Sequence, residues 1–312
     1  MAYPIPGGLW VNAGRERSTS VVKEASAWEL WPLEFVAALR PDARSALIIG
    51  MGPGTHLPIL ERLYPGIHIA VVELNPAVVE LVREHGHEAI QAALARQPVI
   101  VTDGRRFALR NPERRYDIIQ IGVNNVAASG AGNLYTQDFL QTLRHMLTPG
   151  GVRTTWASAP AVKAATHVFQ DIAVASPGAN VGPSAEAARA YNAKGSGARV
   201  AHLLAWNGDD GARFRELLTS AASKIPALMP IDPKSPKIAA RPNWLDGCLI
   251  FSEDIQRLLV PVKAATDDLP VTEYFLTQRE TILGVNPSLD SRSWGKPSGC
   301  IELNQSGTFL GD

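Results

Sequence analysis

The 312-residue chain balances 30 Lys and Arg against 30 Asp and Glu, so it has no basic footprint for DNA or RNA phosphates and no nucleic-acid partner is expected. Its two cysteines, Cys248 and Cys300, cannot build a disulfide framework and lack metal-ligand spacing, which points to free thiols in a reducing compartment and to no metal site. No apolar run approaches the roughly 18 residues of a membrane span.

The opening "MAYPIPGGLW" lacks the basic and apolar regions of a signal peptide, so a cytoplasmic protein is expected. Residues 1–44 read as a small N-terminal β segment, because "GLWVNAGRERSTSVVKEASAWELWP" breaks short apolar stretches with Gly, Asn, Ser and Pro. Trp28 and Trp31 close that segment before Pro32, and "LEFVAALR" reads as a short helix.

From Ser45 to about residue 285 the pattern is α/β. "ALIIG", "IHIAVVELN", "PVIVTDG", "YDIIQIGV" and "GVRTTWAS" are five apolar strands. Between them lie the helices "GTHLPILERLYP", "PAVVELVREHG", "RRFALRN" and "LYTQDFLQTLRHML". The doublets Arg105-Arg106 and Arg114-Arg115 read as solvated helix ends. Strands alternating with helices give βαβ units and a parallel sheet covered on both faces. "DIAVASP" and "ARVAHLLAWN" add closing strands around a Gly-, Pro- and Ala-rich stretch at 177–197. "DDGARFRELLTSAASKI" is a helix capped by Asp, and residues 286–312 read as an irregular tail.

In such a sheet the ligand sits beyond the carboxyl ends of the strands, at the topological switch point. Gly50, Gly52 and Gly54 follow the first strand, where backbone N–H groups can face a ligand. Glu73 ends the second strand, placed to accept hydrogen bonds from ribose hydroxyls, with a helix-capping role as the alternative. Asp103 and Gly104 end the third, suited to an adenine amino group and its ring, or to an ordinary turn. A dinucleotide fingerprint requires a further glycine where Thr55 stands, so the set fits S-adenosyl-L-methionine better than NAD.

The strings "LIIGMGPG", "AVVELNPAVVELVREHG", "VIVTDGRRFALRNPERRYDIIQIG", "NLYTQDFLQTLRHMLTPGGV" and "ATDDLPVTEYFL" resemble the spermidine synthase (polyamine biosynthesis) family. The likeness is to its divergent bacterial branch and covers residues 45–157 and 265–276. It implies a class I S-adenosylmethionine methyltransferase-like Rossmann fold with a mostly parallel, doubly wound sheet. It also implies an adenosyl ligand on Gly50, Gly52, Glu73, Asp103 and Gly104, a Tyr135 lining the acceptor side, and a homodimer.

Three departures from the family weigh on function. Aminopropyltransferases carry acids where this chain has Pro53, Gly122 and Asn125. Those carboxylates bind cationic donor and acceptor amines, and one takes the proton of the attacking amine. The expectation is therefore a transferase of intact S-adenosylmethionine moving a methyl or 3-amino-3-carboxypropyl group to a small-molecule acceptor, or cyclising the donor. Gln120, Asn124, Asn125 and Tyr135 are the candidate polar groups at donor and acceptor, and His56 is a candidate base. The alternatives are an aminopropyltransferase with acids relocated to Asp267, Asp268 or Glu273, and a non-catalytic adenosyl-binding protein.

Overall fold

The uninterrupted apolar runs become the strands of one eight-stranded sheet in the computed structural model. It describes residues 2–5, 8–13, 16–22, 27–123, 131–157, 159–176, 202–228, 248–260, 262–269, 301–303 and 309–311. Ahead of that sheet, β1 (Ala2–Ile5), β2 (Gly8–Ala13) and β3 (Glu16–Val22) pair antiparallel as a three-stranded sheet of their own. The central strands are β4 (Ser45–Ile49), β5 (His68–Glu73), β6 (Val99–Val101), β7 (Tyr116–Ile121) and β8 (Leu147–Trp156). The pairings among these five are all parallel. β9 (Asp171–Ser176), β10 (His202–Trp206) and β11 (Cys248–Phe251) complete the order β11-β9-β10-β8-β7-β4-β5-β6.

From β4 the chain runs outward to β5 and β6, then returns across the centre to β7, which puts the switch point between β4 and β7. β10 inserts antiparallel between β8 and β9. This is the class I methyltransferase-like Rossmann arrangement.

Helices cover both faces. α1 (Ala27–Leu39), α2 (His56–Leu63), α3 (Pro76–His85) and α4 (Glu88–Arg96) pack with α8 (Gly211–Leu228) on one face, around Phe35, Leu60, Val82 and Phe214. α5 (Gly104–Arg110), α6 (Gln137–His145), α7 (Ala159–Thr166) and α9 (Ser252–Leu258) cover the other, around Phe107, Phe139, Val162 and Ile255. Alternation along β7 sends Ile118 to the first core and Ile119 and Ile121 to the second. Among the described residues no helix is long and apolar enough to cross a membrane.

Several expectations are corrected. α1 begins at Ala27 and takes in Trp28, Trp31 and Pro32. Pro32 withholds one backbone donor, but Leu33, Phe35 and Val36 are fully buried behind it and offset the loss. α4 went unread because its N-cap is His87, an uncommon capping residue that accepts from the Ala89 N–H. α7, β11 and α9 were unread as well. Within the tail expected to be irregular, β12 (Ile301–Leu303) pairs antiparallel with β13 (Phe309–Gly311). The stretch 177–197 lies outside the described residues.

At the amino end of β7, Asp117 ties four elements together. Its carboxylate accepts from the Arg40 guanidinium (3.0 Å), the Arg44 N–H (2.9 Å), the Ser45 N–H (3.1 Å) and the Thr148 hydroxyl (2.8 Å). Burial raises its pKa, but these donors outweigh burial and hold it at about 2. A carboxyl depressed below its unfolded value contributes stability above the unfolded pKa and loses it as pH falls through the folded one. Asp117 is therefore expected to contribute about 2 kcal/mol at neutral pH, lost between roughly pH 4 and pH 2. Urea unfolding of the parent and of Asp117→Asn across that range checks it: the gap between them should close as pH falls.

Candidate functional site

The turn from β4 into α2 is built for close approach. Gly50 (φ 83°), Gly52 (φ 54°) and Gly54 (φ 77°) all have positive φ, which side chains rarely tolerate. Space enforces the same choice. A Cβ on Gly50 would meet Val123 at 2.7 Å, and one on Gly54 would meet Ile90 of α4 at 2.8 Å. The Gly50 N–H donates to the Val72 carbonyl at 2.8 Å, pinning the loop to the end of β5.

Glu73, 9% exposed, ends β5 and closes on that loop. Its Oε2 accepts from the Met51 N–H at 2.9 Å and the Gly52 N–H at 3.4 Å, while Oε1 accepts from the Asn75 N–H at 2.9 Å. The cap of α3 is Asn75 itself, whose Oδ1 accepts from the Ala77 N–H at 3.0 Å, so Glu73 braces the glycine loop with one oxygen and the turn into α3 with the other. Of the four acceptor sites on the two carboxylate oxygens three are taken, so one, on Oε1, is left for a ribose hydroxyl.

Glu73 pairs in register with Val101, and the Thr102 N–H donates to the Glu73 carbonyl at 3.0 Å. That brings Asp103 to the neighbouring strand end, where it is exposed. Asp103 also caps α5, accepting from the Arg106 N–H at 2.8 Å. Gly104 serves a different need from the one expected. A Cβ there would meet Ile49 at 2.3 Å, so the glycine packs α5 onto β4 rather than clearing space for a ring. The sequence reading missed Leu74, whose side chain is 68% exposed beside Glu73 and offers an apolar wall.

The two candidate acceptor residues that are described, Gln120 and Tyr135, lie on opposite faces of the sheet. Gln120 lies on the central strand β7, not at a sheet edge, and shares the face of Ile118 and α2. It is buried, and among the described residues its Oε1 has no hydrogen-bond partner; the same holds for Oγ1 of Thr154, its register partner on β8. Tyr135 sits on the opposite face, fully buried next to the 3-10 turn Gly132–Leu134, and its hydroxyl donates to the Val123 carbonyl. Burial pushes that phenol up to about 12. Asn124, Asn125 and Glu273 lie outside the described residues.

His56 is 9% exposed at the start of α2. His202, whose ring centroid is 4.4 Å from that of Trp156, is pushed down to about 3 by burial and by His56 nearby. That pairing also went unread, since the two strands that form it are separated in sequence by the stretch at 177–197.

Gly122 faces the loop directly. Its N–H donates to the Ile49 carbonyl at 2.8 Å, and a Cβ on it would meet the Gly50 carbonyl at 2.4 Å. Asp267, one of the proposed relocated acids, is consumed elsewhere. It pairs with Arg105 and accepts from the Thr136 hydroxyl at 2.7 Å, and although burial opposes ionisation these donors hold its carboxyl below the usual range. Asp268 is exposed in the same segment.

The spermine/spermidine synthase domain model matches residues 33–202. A polyamine aminopropyltransferase 2 of Hyperthermus butylicus is 29% identical over 152 residues, 48% of this chain and 50% of that protein. A second, from Pseudomonas aeruginosa, is 35% identical over 114 residues, 36% of this chain and 32% of that protein. The chain thus aligns with half or less of the length of these curated relatives. The crystal structure of a probable spermidine synthase from Corynebacterium glutamicum superposes with a TM-score of 0.55 at 18% identity, covering 84% of this chain and 89% of that one, a likeness of fold. With the domain model spanning over half of its length and its strand ends arranged as described, the chain belongs to the spermine/spermidine synthase domain family.

Proposed function

We propose that this chain is a transferase of intact S-adenosylmethionine, moving a methyl or 3-amino-3-carboxypropyl group to a small-molecule acceptor or cyclising the donor. The residues present suit the adenosyl part. Glu73 would hold the ribose, Asp103 the adenine amino group, Leu74 the ring face and the glycine loop the methionine tail, with Asn124 and Asn125 as further donors. Such a transfer needs chiefly in-line placement: the acceptor's lone pair bonds the carbon beside the sulfonium as the carbon–sulfur bond breaks onto sulfur.

The observation that carries the choice of donor is Gly122. At the position matching an aminopropyltransferase acid, the backbone lies against the Gly50 carbonyl and leaves no room for a side chain. A bare ammonium tail has no carboxylate there, and Asp267 is already paired with Arg105. The names of the relatives favour the competing reading, aminopropyl transfer to a polyamine.

One experiment separates them. The protein is incubated with intact or decarboxylated donor and extracts of small metabolites, and the nucleoside products are read by mass spectrometry. Turnover of the intact donor alone is expected. S-adenosylhomocysteine identifies methyl transfer, and methylthioadenosine identifies aminocarboxypropyl transfer or cyclisation. Spermidine and methylthioadenosine from decarboxylated donor with putrescine would overturn the proposal, and no turnover of either donor would make the chain a binding protein.

A further inference from the structure

Arg153 is the largest fully buried side chain among the described residues. It stands on β8 opposite Ile119 of β7 and Ala205 of β10, on the α6–α7 face of the sheet. Among the described residues, none of its three guanidinium nitrogens has a hydrogen-bond partner. The polar groups near it on that face are already engaged. Thr155, next along the same face, donates to the Ile121 carbonyl at 3.1 Å, and Tyr135 donates to the Val123 carbonyl. Among the described residues that face carries a core of apolar side chains, including Phe139, Ala161, Val162 and Leu203. Burial draws the guanidinium down to about 10, and Tyr135 opposes that, so the group is still a cation at neutral pH.

A desolvated cation without a counter-ion is strongly unfavourable, and proteins keep one where something else neutralises it. The placement says what that is. Ile121 and Val123, whose carbonyls hold Thr155 and Tyr135, stand at and just beyond the carboxyl end of β7, the side of the sheet on which the proposed site would take its acceptor. We infer that Arg153 is the receptor for a substrate carboxylate, drawn in beside Tyr135 and Thr155 at the carboxyl ends of β7 and β8. A guanidinium matches a carboxylate in charge and in planar, two-point geometry, whereas a phosphate dianion would need further donors. The same charge repels a polyamine. The inference rests on the proposed adenosyl site and names the chemistry of its partner. The carboxylate belongs either to the donor's methionine tail or to the acceptor.

Calorimetry on the full chain tests it with the parent, Arg153→Met and Arg153→Lys. Methylthioadenosine, which has no carboxylate, is the control and should bind all three alike; failure to bind the parent would sink the adenosyl reading itself. If the donor supplies the carboxylate, the parent should prefer S-adenosylmethionine over its decarboxylated form by roughly fivefold or more, and Arg153→Met should lose that preference. If the acceptor supplies it, the parent loaded with methylthioadenosine should bind propionate, and Arg153→Met should not. Lysine, keeping charge without the fork, should fall between. Arg153→Met should also fold at least as stably as the parent, since it keeps the stem and removes an unpaired charge. Identical carboxylate binding by parent and Arg153→Met in both arms overturns the inference. So does loss of folding in both variants, which would make Arg153 a structural brace.

Discussion

Glu73→Ala is expected to weaken S-adenosylmethionine binding tenfold or more. Two losses combine. The ribose loses a charged acceptor, and hydrogen bonds to charged groups contribute about 1.5 to 3 kcal/mol, where each 1.4 kcal/mol is a factor of ten. The N–H groups of Met51, Gly52 and Asn75 lose their shared acceptor, so the loop that should meet the ligand is no longer drawn against β5. The second loss should also lower the thermal midpoint, because a polar group left without its partner costs about 1 to 3 kcal/mol. Calorimetry with S-adenosylhomocysteine and a melt of the same preparation separate the two. A lower midpoint with parental affinity would make Glu73 a loop brace alone and remove it from the ribose site.

How much of this was legible in the sequence follows from the range of the interactions. The β4–β8 strands and the helices α2, α3, α5 and α6 could be read because each is specified locally, by an apolar run and by Gly, Pro or Asx punctuation. Asn75 before Pro76 and Asp103 before Gly104 are such signals, and both cap helices in the structure. α1 was cut short because Pro32 is a strong local stop signal, overridden by burial of the residues after it. The site divides along the same line. The positions of Glu73 and Asp103 at neighbouring strand ends follow from spacing. That Gln120 and Tyr135 face opposite sides of the sheet does not, since it depends on the register of β7 against β8 and on where the chain re-enters after Gly132. Arg153 left one trace, a charge inside the strand "GVRTTWAS". A single arginine there reads equally well as an edge residue until the sheet order places β8 between β7 and β10.

Gly122→Asp, which would restore the family's acid, is expected to damage the protein rather than turn it into a spermidine synthase. Any side chain at residue 122 begins with a Cβ 2.4 Å from the Gly50 carbonyl oxygen, a contact with backbone that no rotamer relieves. The Gly122 N–H is held to Ile49 at 2.8 Å, so residue 122 cannot retreat without breaking the bond that carries β7 alongside β4. The glycine loop must move instead, and Gly50 is itself pinned to Val72 and closed in by Val123. Forcing extra atoms into such packing costs about 1 to 3 kcal/mol. An aspartate also places a carboxylate against a carbonyl dipole of the same sign. The variant should therefore unfold at lower urea than the parent, bind S-adenosylhomocysteine more weakly, and form no spermidine from putrescine and decarboxylated donor. Gly122→Ala should lose stability in the same way without the charge, which distinguishes crowding from repulsion. A Gly122→Asp protein as stable as its parent, with decarboxylated donor now bound more tightly than intact donor, would show that the loop accommodates the acid. The steric argument at residue 122 would then fail, while the link between that carboxylate and the choice of donor would stand.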